Sequence, residues 1–338
     1  MNRIFFIITC LFSLLHENVL AQDPHFSQFF TSPLTLSPAF TGKFNGNFRA
    51  TSNYRNQWPT INKAFTTKTV SVDFHILPKK IADNDTWGLG VMAYNDNNAD
   101  GAINLNYLSL STAYHKGLDE EGFQQIGIGM QLTYANMMIN TANLQFEDQI
   151  TTNGFTNVTN EIFNGATLNN NYYDLNAGFL YTGSTNDFNS YYAGVSLYHT
   201  NKPTQQFNGA LFELNTRTNI HMGGSFPINL NNTIKLNYSG IYTFQGGASE
   251  TVIGGALEFN FGNTEEDAIS LYTGSWLRLN DAIIPYVGLE YNGFRLGASY
   301  DVNTSAFKTV SQGLGGVEIS LVYINKNSQQ RSLPCPKF

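Results

Sequence analysis

Apolar and polar residues alternate along most of the chain, in runs separated by short polar segments. Between Ile126 and Tyr134 every second residue is apolar, with glycine, glutamine or threonine between them. The run Phe294–Asp301 alternates in the same way and follows Asn292-Gly293. Successive side chains of a strand point to opposite faces, so each run predicts a strand with one apolar and one polar face. The Asn-Gly pair predicts a type I′ turn between antiparallel strands, because both central residues of that turn need positive φ.

Runs of this kind recur at nearly regular spacing and predict about 14 strands, each of about 8–14 residues, which is long enough to cross a bilayer at a tilt. The run Ala102–His115 changes phase near Tyr107, which predicts a β-bulge there. The predicted strands are Phe44–Arg55, Thr66–Ile76, Thr86–Asn95, Ala102–His115, Gly122–Ala135, Tyr172–Thr182, Ser190–Tyr198, Arg217–Phe226, Thr233–Thr243, Thr251–Gly262, Ala268–Arg278, Ile283–Tyr291, Phe294–Asp301 and Gly315–Tyr323.

The apolar faces of so many strands need either a second sheet or lipid to cover them. The chain is 42% hydrophobic and 14% aromatic but only 13% charged, whereas soluble proteins average about 25% charged residues. No run of about 18 apolar residues follows residue 21, so a membrane-embedded chain of this sequence must form a closed barrel. A soluble β-sandwich or propeller is the alternative, but sandwich strands are usually shorter and no fixed repeat is visible. The sequence therefore predicts an all-β fold, a transmembrane antiparallel β-barrel of the outer membrane.

The two ends of the chain have different compositions from the barrel. Met1–Ala21 has a basic residue followed by a short apolar core, as in a secretory signal peptide cleaved after Ala21. Residues 22–43 contain three prolines and no strand-length alternation, so we expect an irregular N-terminal segment in the barrel lumen or at its periplasmic mouth. The barrel then occupies residues 44–324, and residues 325–338 form a periplasmic tail containing Cys335, the single cysteine of the mature chain.

Loop lengths orient the predicted barrel. With the N-terminus in the periplasm, connections after even-numbered strands should be short and those after odd-numbered strands longer. The long connections 136–171 and 199–216 follow odd-numbered strands, so they are expected at the extracellular side. The polar strand faces are rich in Asn, Gln, Ser, Thr and Gly, which predicts a lumen poor in charge. Tyrosines near strand ends are expected at headgroup level: Tyr94, Tyr134, Tyr181, Tyr291 and Tyr323.

Charge and motifs exclude several functional classes. The net charge of −7 argues against binding to nucleic acid. The histidines lie in different elements without metal-ligand spacing, and the chain has no Gly-x-Ser-x-Gly elbow and no phosphate-binding loop. We therefore expect no catalytic residue, no cofactor and no metal site, and a protein that is not an enzyme.

Six segments carry a resemblance to a known family. They are Asp23–Phe30, Pro38–Gly42, Asn53–Pro59, Tyr300–Ser305, Gly315–Leu321 and Pro334–Phe338. Together they resemble the PorP/SprF family of outer-membrane proteins of the type IX secretion system. The resemblance implies a barrel that works with other type IX secretion components and exports or anchors a secreted surface protein, such as a large gliding adhesin, through the C-terminal domain of that protein. A passive or substrate-specific diffusion channel is the alternative function, and it requires an open lumen with a charged constriction.

Two of these segments define a candidate partner-binding or rim-bracing site. One follows the first strand and contains Arg55, Asn56, Gln57 and Trp58, and the other follows the thirteenth strand and contains Asp301 and Asn303. The last strand closes against the first, so the two segments should lie close together, and a salt bridge or hydrogen bond between Arg55 and Asp301 is expected. These residues either brace the extracellular rim of the barrel or form part of the surface where cargo docks.

Overall fold

A computed structural model describes residues 23–325, except residues 62–64, 79, 153, 157, 164 and 263–268. The signal peptide Met1–Ala21 and its cleavage site lie outside the described residues. So does the tail beyond Asn325, including Cys335.

The described residues form a closed antiparallel barrel of fourteen strands in which each strand pairs with its neighbours and the last strand closes on the first. This confirms the predicted fold class. The barrel strands are β1 (Phe48–Gln57), β2 (Phe65–His75), β3 (Thr86–Asn98), β4 (Ile103–Gly117), β5 (Gln124–Asn140), β8 (Thr167–Gly183), β9 (Ser190–Tyr198), β12 (Arg217–Pro227), β13 (Ile234–Gln245), β14 (Ala248–Phe261), β15 (Ile269–Arg278), β16 (Ala282–Tyr291), β17 (Phe294–Asn303) and β18 (Leu314–Asn325). Two small hairpins stand outside the barrel wall: β6 (Ile150–Thr151) with β7 (Gly154–Phe155), and β10 (Thr204–Phe207) with β11 (Ala210–Glu213).

The helical segments in the described residues are short. Three lie before the barrel: Phe29–Thr31, Pro33–Leu36 and Pro38–Phe40. The others are Ala99–Gly101, Thr141–Asn143, Glu147–Gln149 and Lys308–Ser311. In the part of the chain that the structure describes, no helix is both long enough and apolar enough to cross a membrane.

The apolar face of the alternating pattern points outward. On β5 the side chains of Ile128, Met130 and Leu132 are exposed on the outside of the wall, while Gln131 and Thr133 are buried inside it. A wall with an apolar exterior and a polar interior is the arrangement that lipid requires. The turn Asn292-Gly293 has φ values of 48° and 79°, so both central residues have the positive φ predicted for the hairpin.

The predicted bulge near Tyr107 is wrong. All residues of β4 are described, and the β3–β4 and β4–β5 ladders run through Tyr107 without a register shift. The apparent change of phase arises because Tyr107 is an apolar residue on the lumen face, where its ring stacks on Tyr94 at 5.3 Å between centroids. The expected headgroup position of Tyr94 is therefore also wrong, since Tyr94 is buried inside the barrel. The other four tyrosines in that prediction lie on the outward face of their strands.

The two ends of the barrel differ in their connections. At one end the connections include residues 118–123, 184–189, 228–233 and 292–293, all short. At the other end, residues 141–166 and 199–216 form two long loops, each carrying one of the small hairpins. This second end also has two short connections, residues 246–247 and 279–281. The difference in loop length between the two ends therefore depends on a few long loops. We assign the long-loop end to the extracellular side.

Residues 23–44 lie inside the barrel, and we call them the plug. Their side chains are mostly buried, and Phe30 stacks on Trp276 of β15 with ring centroids 4.4 Å apart. The wall makes room for the plug backbone at Gly129 of β5. A Cβ atom on Gly129 would lie 2.4 Å from the carbonyl carbon of Pro38, closer than carbon atoms can approach. The plug runs from Asp23, near the extracellular ends of β9 and β12, to the periplasmic start of β1.

Candidate functional site

A buried ion network holds the plug to the strands that close the barrel. On β1, Arg55 lies 3.2 Å from the Asp301 carboxylate of β17 and 3.3 Å from the Glu318 carboxylate of β18. Asp301 also lies 3.0 Å from Arg278 of β15. All four side chains are at most 4% exposed. Buried charges of this kind are tolerated because they alternate in sign and are hydrogen-bonded. We call these four residues the closing network.

The plug binds the closing network mainly through its backbone. The N–H groups of Ser27 and Gln28 donate to the two carboxylate oxygens of Glu318 at 2.5 and 2.7 Å. Arg55 donates to the carbonyl oxygen of His25 at 2.6 Å, and the Ser27 hydroxyl donates to Asp301 at 2.7 Å. Three neighbouring strands of the barrel, β17, β18 and β1, therefore contact plug residues 25–28.

The other end of the plug is held by a second buried pair. Arg49 of β1 and Asp73 of β2 form a bidentate contact, with Nε to Oδ1 at 3.0 Å and Nη2 to Oδ2 at 2.8 Å. Arg49 also donates to the carbonyl oxygen of Phe40 at 2.9 Å, and the Gly42 N–H donates to Asp73 at 2.8 Å. The prediction of a lumen poor in charge is thus wrong. These charged residues are few and far apart in the sequence, but the alternation of side chains along each strand points them into the same lumen.

A third ionic contact lies at the extracellular end of the lumen. The carboxylate of Asp23 is 2.5 Å from Nε2 of His199 and 3.2 Å from Nη1 of Arg217. Nδ1 of the same histidine is 3.0 Å from the carboxylate of Asp174. Burial alone would lower the pKa of His199, but the Asp23 and Asp174 carboxylates outweigh burial and raise this pKa to about 9. Burial would likewise raise the pKa of Asp23, but Arg217 and His199 hold this pKa well below its usual range. The contact is therefore ionic at neutral pH.

The two long extracellular loops contact each other and expose apolar side chains. Asn208 in the loop 199–216 donates to the carbonyl oxygen of Ile162 at 2.8 Å, and the rings of Phe163 and Phe207 lie 6.3 Å apart. The same two loops carry six large apolar side chains that are between 55% and 84% exposed. We call them the loop patch: Ile150, Phe155, Val158, Ile162, Leu211 and Phe212. These residues lie outside the barrel strands, so lipid facing the wall does not account for their exposure.

Within the described residues, no group of three or more His, Cys, Asp or Glu side chains has the geometry of a metal site. The clustered carboxylates of the lumen are paired with arginine, histidine or plug N–H groups. The arrangement can bind the plug and, at the loops, an apolar protein surface.

Comparison with known protein families identifies the chain. The model of the family described as type IX secretion system membrane protein PorP/SprF matches residues 18–323. The chain belongs to the PorP/SprF family. It is therefore an outer-membrane component of type IX secretion, and membership implies association with the secretion machinery.

Solved structures similar to this PorP/SprF protein are outer-membrane barrels. The CymD monoaromatic hydrocarbon channel aligns with a TM-score of 0.50 and 7% identity over 89% of this chain and 94% of that chain. A FadL homologue from Pseudomonas aeruginosa aligns with a TM-score of 0.47 and 10% identity over 87% of this chain and 94% of that chain. The CymD alignment, at 7% identity, shows a shared barrel fold and nothing about function. A search among curated proteins gave no significant match.

The structure places two of the six residues singled out by the PorP/SprF resemblance inside the lumen. Arg55 and Asp301 are in contact, as the topology led us to expect, but both are buried against the plug below the rim. Their side chains are not on a surface that a partner could reach in this conformation. Their contacts are those of residues that brace the closing strands and hold the plug.

The other four residues lie near the extracellular ends of the closing strands. Trp58 has a φ of 52°, its N–H donates to Gly315, and its ring packs 4.6 Å from Phe307 and 5.4 Å from Phe65. The side chain of Asn303 is buried and donates to the Ser311 hydroxyl at 3.1 Å. Asn56 and Gln57 are half-buried in β1 opposite Val317 and Gly316. The contacts of these four residues hold the extracellular end of β1 against β18 and the loop 304–313.

Sequence reasoning missed the partners of these residues. Glu318 and Arg278 complete the closing network, and Ser27 and Gln28 connect it to the plug. The alternating pattern did contain a signal for Glu318, because it stands between Val317 and Ile319 and so points into the lumen. A buried carboxylate needs a donor, and that need alone could have directed attention to the plug.

Proposed function

We propose that this PorP/SprF protein binds the folded C-terminal domain of a secreted surface protein at its extracellular loops, and so exports or anchors that protein at the cell surface. A large gliding adhesin is a partner of this kind. The loop patch carries the proposal, because exposed apolar side chains on two joined loops suit contact with another protein. The proposed role includes no catalytic step.

The filled lumen supports binding at the loops rather than passage through the barrel. The plug occupies the interior, and its contacts with the closing network and with Arg49 and Asp73 are buried. A partner approaching from outside meets the loops 141–166 and 199–216 first, and the plug lies behind them in the lumen. The loop patch therefore provides the accessible apolar surface.

The experiment is surface display of a type IX cargo in the native host. The variant carries Ile162→Ser, Leu211→Ser and Phe212→Ser in the loop patch. We expect loss of display by about tenfold or more, since truncation of even one hot-spot residue of an interface costs about 2 kcal/mol or more. The barrel should insert normally, because the three residues lie outside the barrel strands.

Leu230→Ser is the matched control. Leu230 is fully exposed in the turn 228–233 at the opposite end of the barrel, so its replacement removes an exposed leucine of the same kind without touching the loops. Display should be unchanged in this variant. Normal display in the triple loop variant, with normal insertion, would refute binding at the loop patch.

A further inference from the structure

One of the two partner-binding loops is attached to the plug at both of its ends. His199 is the first residue after β9 and Arg217 is the first residue of β12, so together they bound the loop. Both contact the single carboxylate of Asp23, at 2.5 and 3.2 Å. Gln245 of β13 donates to the other oxygen of the same carboxylate at 3.1 Å. The first described residue of the plug thus ties together the two ends of the loop.

A second chain of contacts connects the middle of this loop to the plug. Gln205 of β10 donates to the hydroxyl of Tyr172 at 3.1 Å, and the hydroxyl groups of Tyr172 and Tyr107 are 3.4 Å apart. The ring of Tyr107 stacks on Tyr94, whose ring meets the edge of Phe26 at 6.5 Å between centroids. The contacts therefore run from an extracellular hairpin to the plug through three aromatic residues of the lumen wall.

The other extracellular loop near the plug is built differently. The loop 304–313 contacts Asp281 and Asn303, and its Phe307 packs on Trp58. These contacts hold the loop to the strand ends and to a neighbouring loop. The connection of this loop to the plug runs through Asp281 and Arg278 to Ser27 and does not involve Asp23, so the loop 304–313 serves as an internal reference when the contacts of Asp23 are changed.

We infer that the loop 199–216 and plug residues 23–26 move as one unit, so that a partner docking on the loop displaces or stabilises the start of the plug. The biological use of this coupling rests on the proposed function, but the coupling itself is a property of the protein alone. Coupling between two sites is reciprocal, so loosening the plug start must also loosen the loop. The partner-binding signal would then pass from the cell surface into the lumen without opening the barrel wall.

Hydrogen exchange on the full-length protein in detergent micelles tests the coupling. In Asp23→Asn the amides of residues 204–213 should exchange at least about fivefold faster, the lower end of ordinary coupling between sites. Residue 23 is not part of the loop, so faster exchange in the loop must be transmitted through the contacts between the plug and the loop. The loop 304–313 should exchange as in the unchanged protein.

Two further variants complete the test. Gln205→Ala changes only the loop side of the chain of contacts, and in this variant the amides of plug residues 23–31 should exchange faster. If Asp23→Asn fails to form a barrel, this variant still tests the coupling. Asp85→Asn removes a carboxylate that contacts Lys116 at 3.1 Å at the opposite end of the barrel, and it should leave both regions unchanged.

Unchanged exchange at 204–213 in an intact Asp23→Asn barrel would overturn the inference. So would an equal increase at 304–313, because that result would indicate general loosening. A protein that passes these tests but does not bind a secreted C-terminal domain would refute the proposed function and leave the coupling standing.

Discussion

Asp301 lies between two arginines in the lumen, and its single carboxylate is shared among Arg55, Arg278 and the Ser27 hydroxyl. Arginine does not lose its proton in proteins, so neither cation can become neutral if the carboxylate is removed. The same side chain connects β1, β15, β17 and the plug. A single residue thus affects both barrel closure and plug position.

We expect Asp301→Asn to destabilise the protein by about 3 kcal/mol, because it removes the one carboxylate that both buried arginines share and leaves Arg55 with Glu318, and Arg278 with Glu250 and Asp281. The measurement is denaturant unfolding in detergent micelles. Asp281→Asn is the matched control, since Asp281 also contacts Arg278 but is 40% exposed; its loss should cost about 1 kcal/mol or less. Equal effects in the two variants would contradict a central role for the buried carboxylate.

His199 gives the protein a pH dependence at the extracellular end of the lumen. The groups facing its ring are Asp23 of the plug, Asp174 of β8 and, through Asp23, Arg217 of β12. The pKa of His199 is raised in the folded protein to about 9. Its stabilising contribution is therefore fully present below the ordinary histidine pKa and is lost as the pH rises through about 9.

We expect the thermal unfolding midpoint to fall between about pH 7 and about pH 10, and to fall less in His199→Asn over the same range. The difference between the two falls in unfolding midpoint is the effect of His199, because tyrosines and lysines that titrate in this range affect both proteins equally. A decline of equal size in both proteins would show that His199 does not hold its proton against the two carboxylates.

At the scale of elements, the plug and the barrel wall are fitted to each other backbone to backbone. Gly129 lies where the backbone of Pro38 and Ala39 passes β5, and Gly178 of β8 lies beside Ser37. Side chains at these wall positions would occupy the space of the plug. The plug is therefore held by shape at its middle and by charge towards its two ends.

We expect Gly129→Ala to displace the plug while the barrel strands remain paired. The added methyl group would lie 2.4 Å from plug backbone atoms, and backbone cannot move aside as a flexible side chain can. Amides of residues 37–43 should exchange faster by about tenfold or more, as local opening replaces burial. Gly240→Ala is the control, because its Cβ would meet its nearest neighbour at 3.6 Å; equal exchange in the two variants would contradict the close fit.

The elements differ in how far the sequence determines them. Every predicted barrel strand is present, because a period of two and the Asn292-Gly293 turn are local signals. The direction of Tyr94 was wrong because the plug gives the lumen aromatic side chains to pack against, and Tyr94 packs there between Tyr107 and Phe26. The plug contacts join residues far apart in the chain, such as Ser27 and Glu318, and no local pattern encodes such a pair. The small hairpins within the long loops likewise had no alternation of sufficient length.

At the scale of the whole molecule, the chain forms a membrane wall and fills the interior of that wall with its own N-terminal segment. The outward faces are apolar, the inward faces are polar and charged, and the charges are used to hold the plug. A diffusion channel needs a continuous wet path through the barrel. Because the plug lies in the lumen, the proposed function places a partner at the extracellular loops.

Current through the intact protein in a planar lipid bilayer tests this account most directly. The charged contacts and the close fit at Gly129 should keep the plug in place, so we expect the inserted full-length barrel to carry no steady current. Insertion is checked by recovery of the heat-modifiable barrel from the same membrane. A steady open-pore current through the unaltered protein would contradict a sealed lumen and favour a diffusion channel.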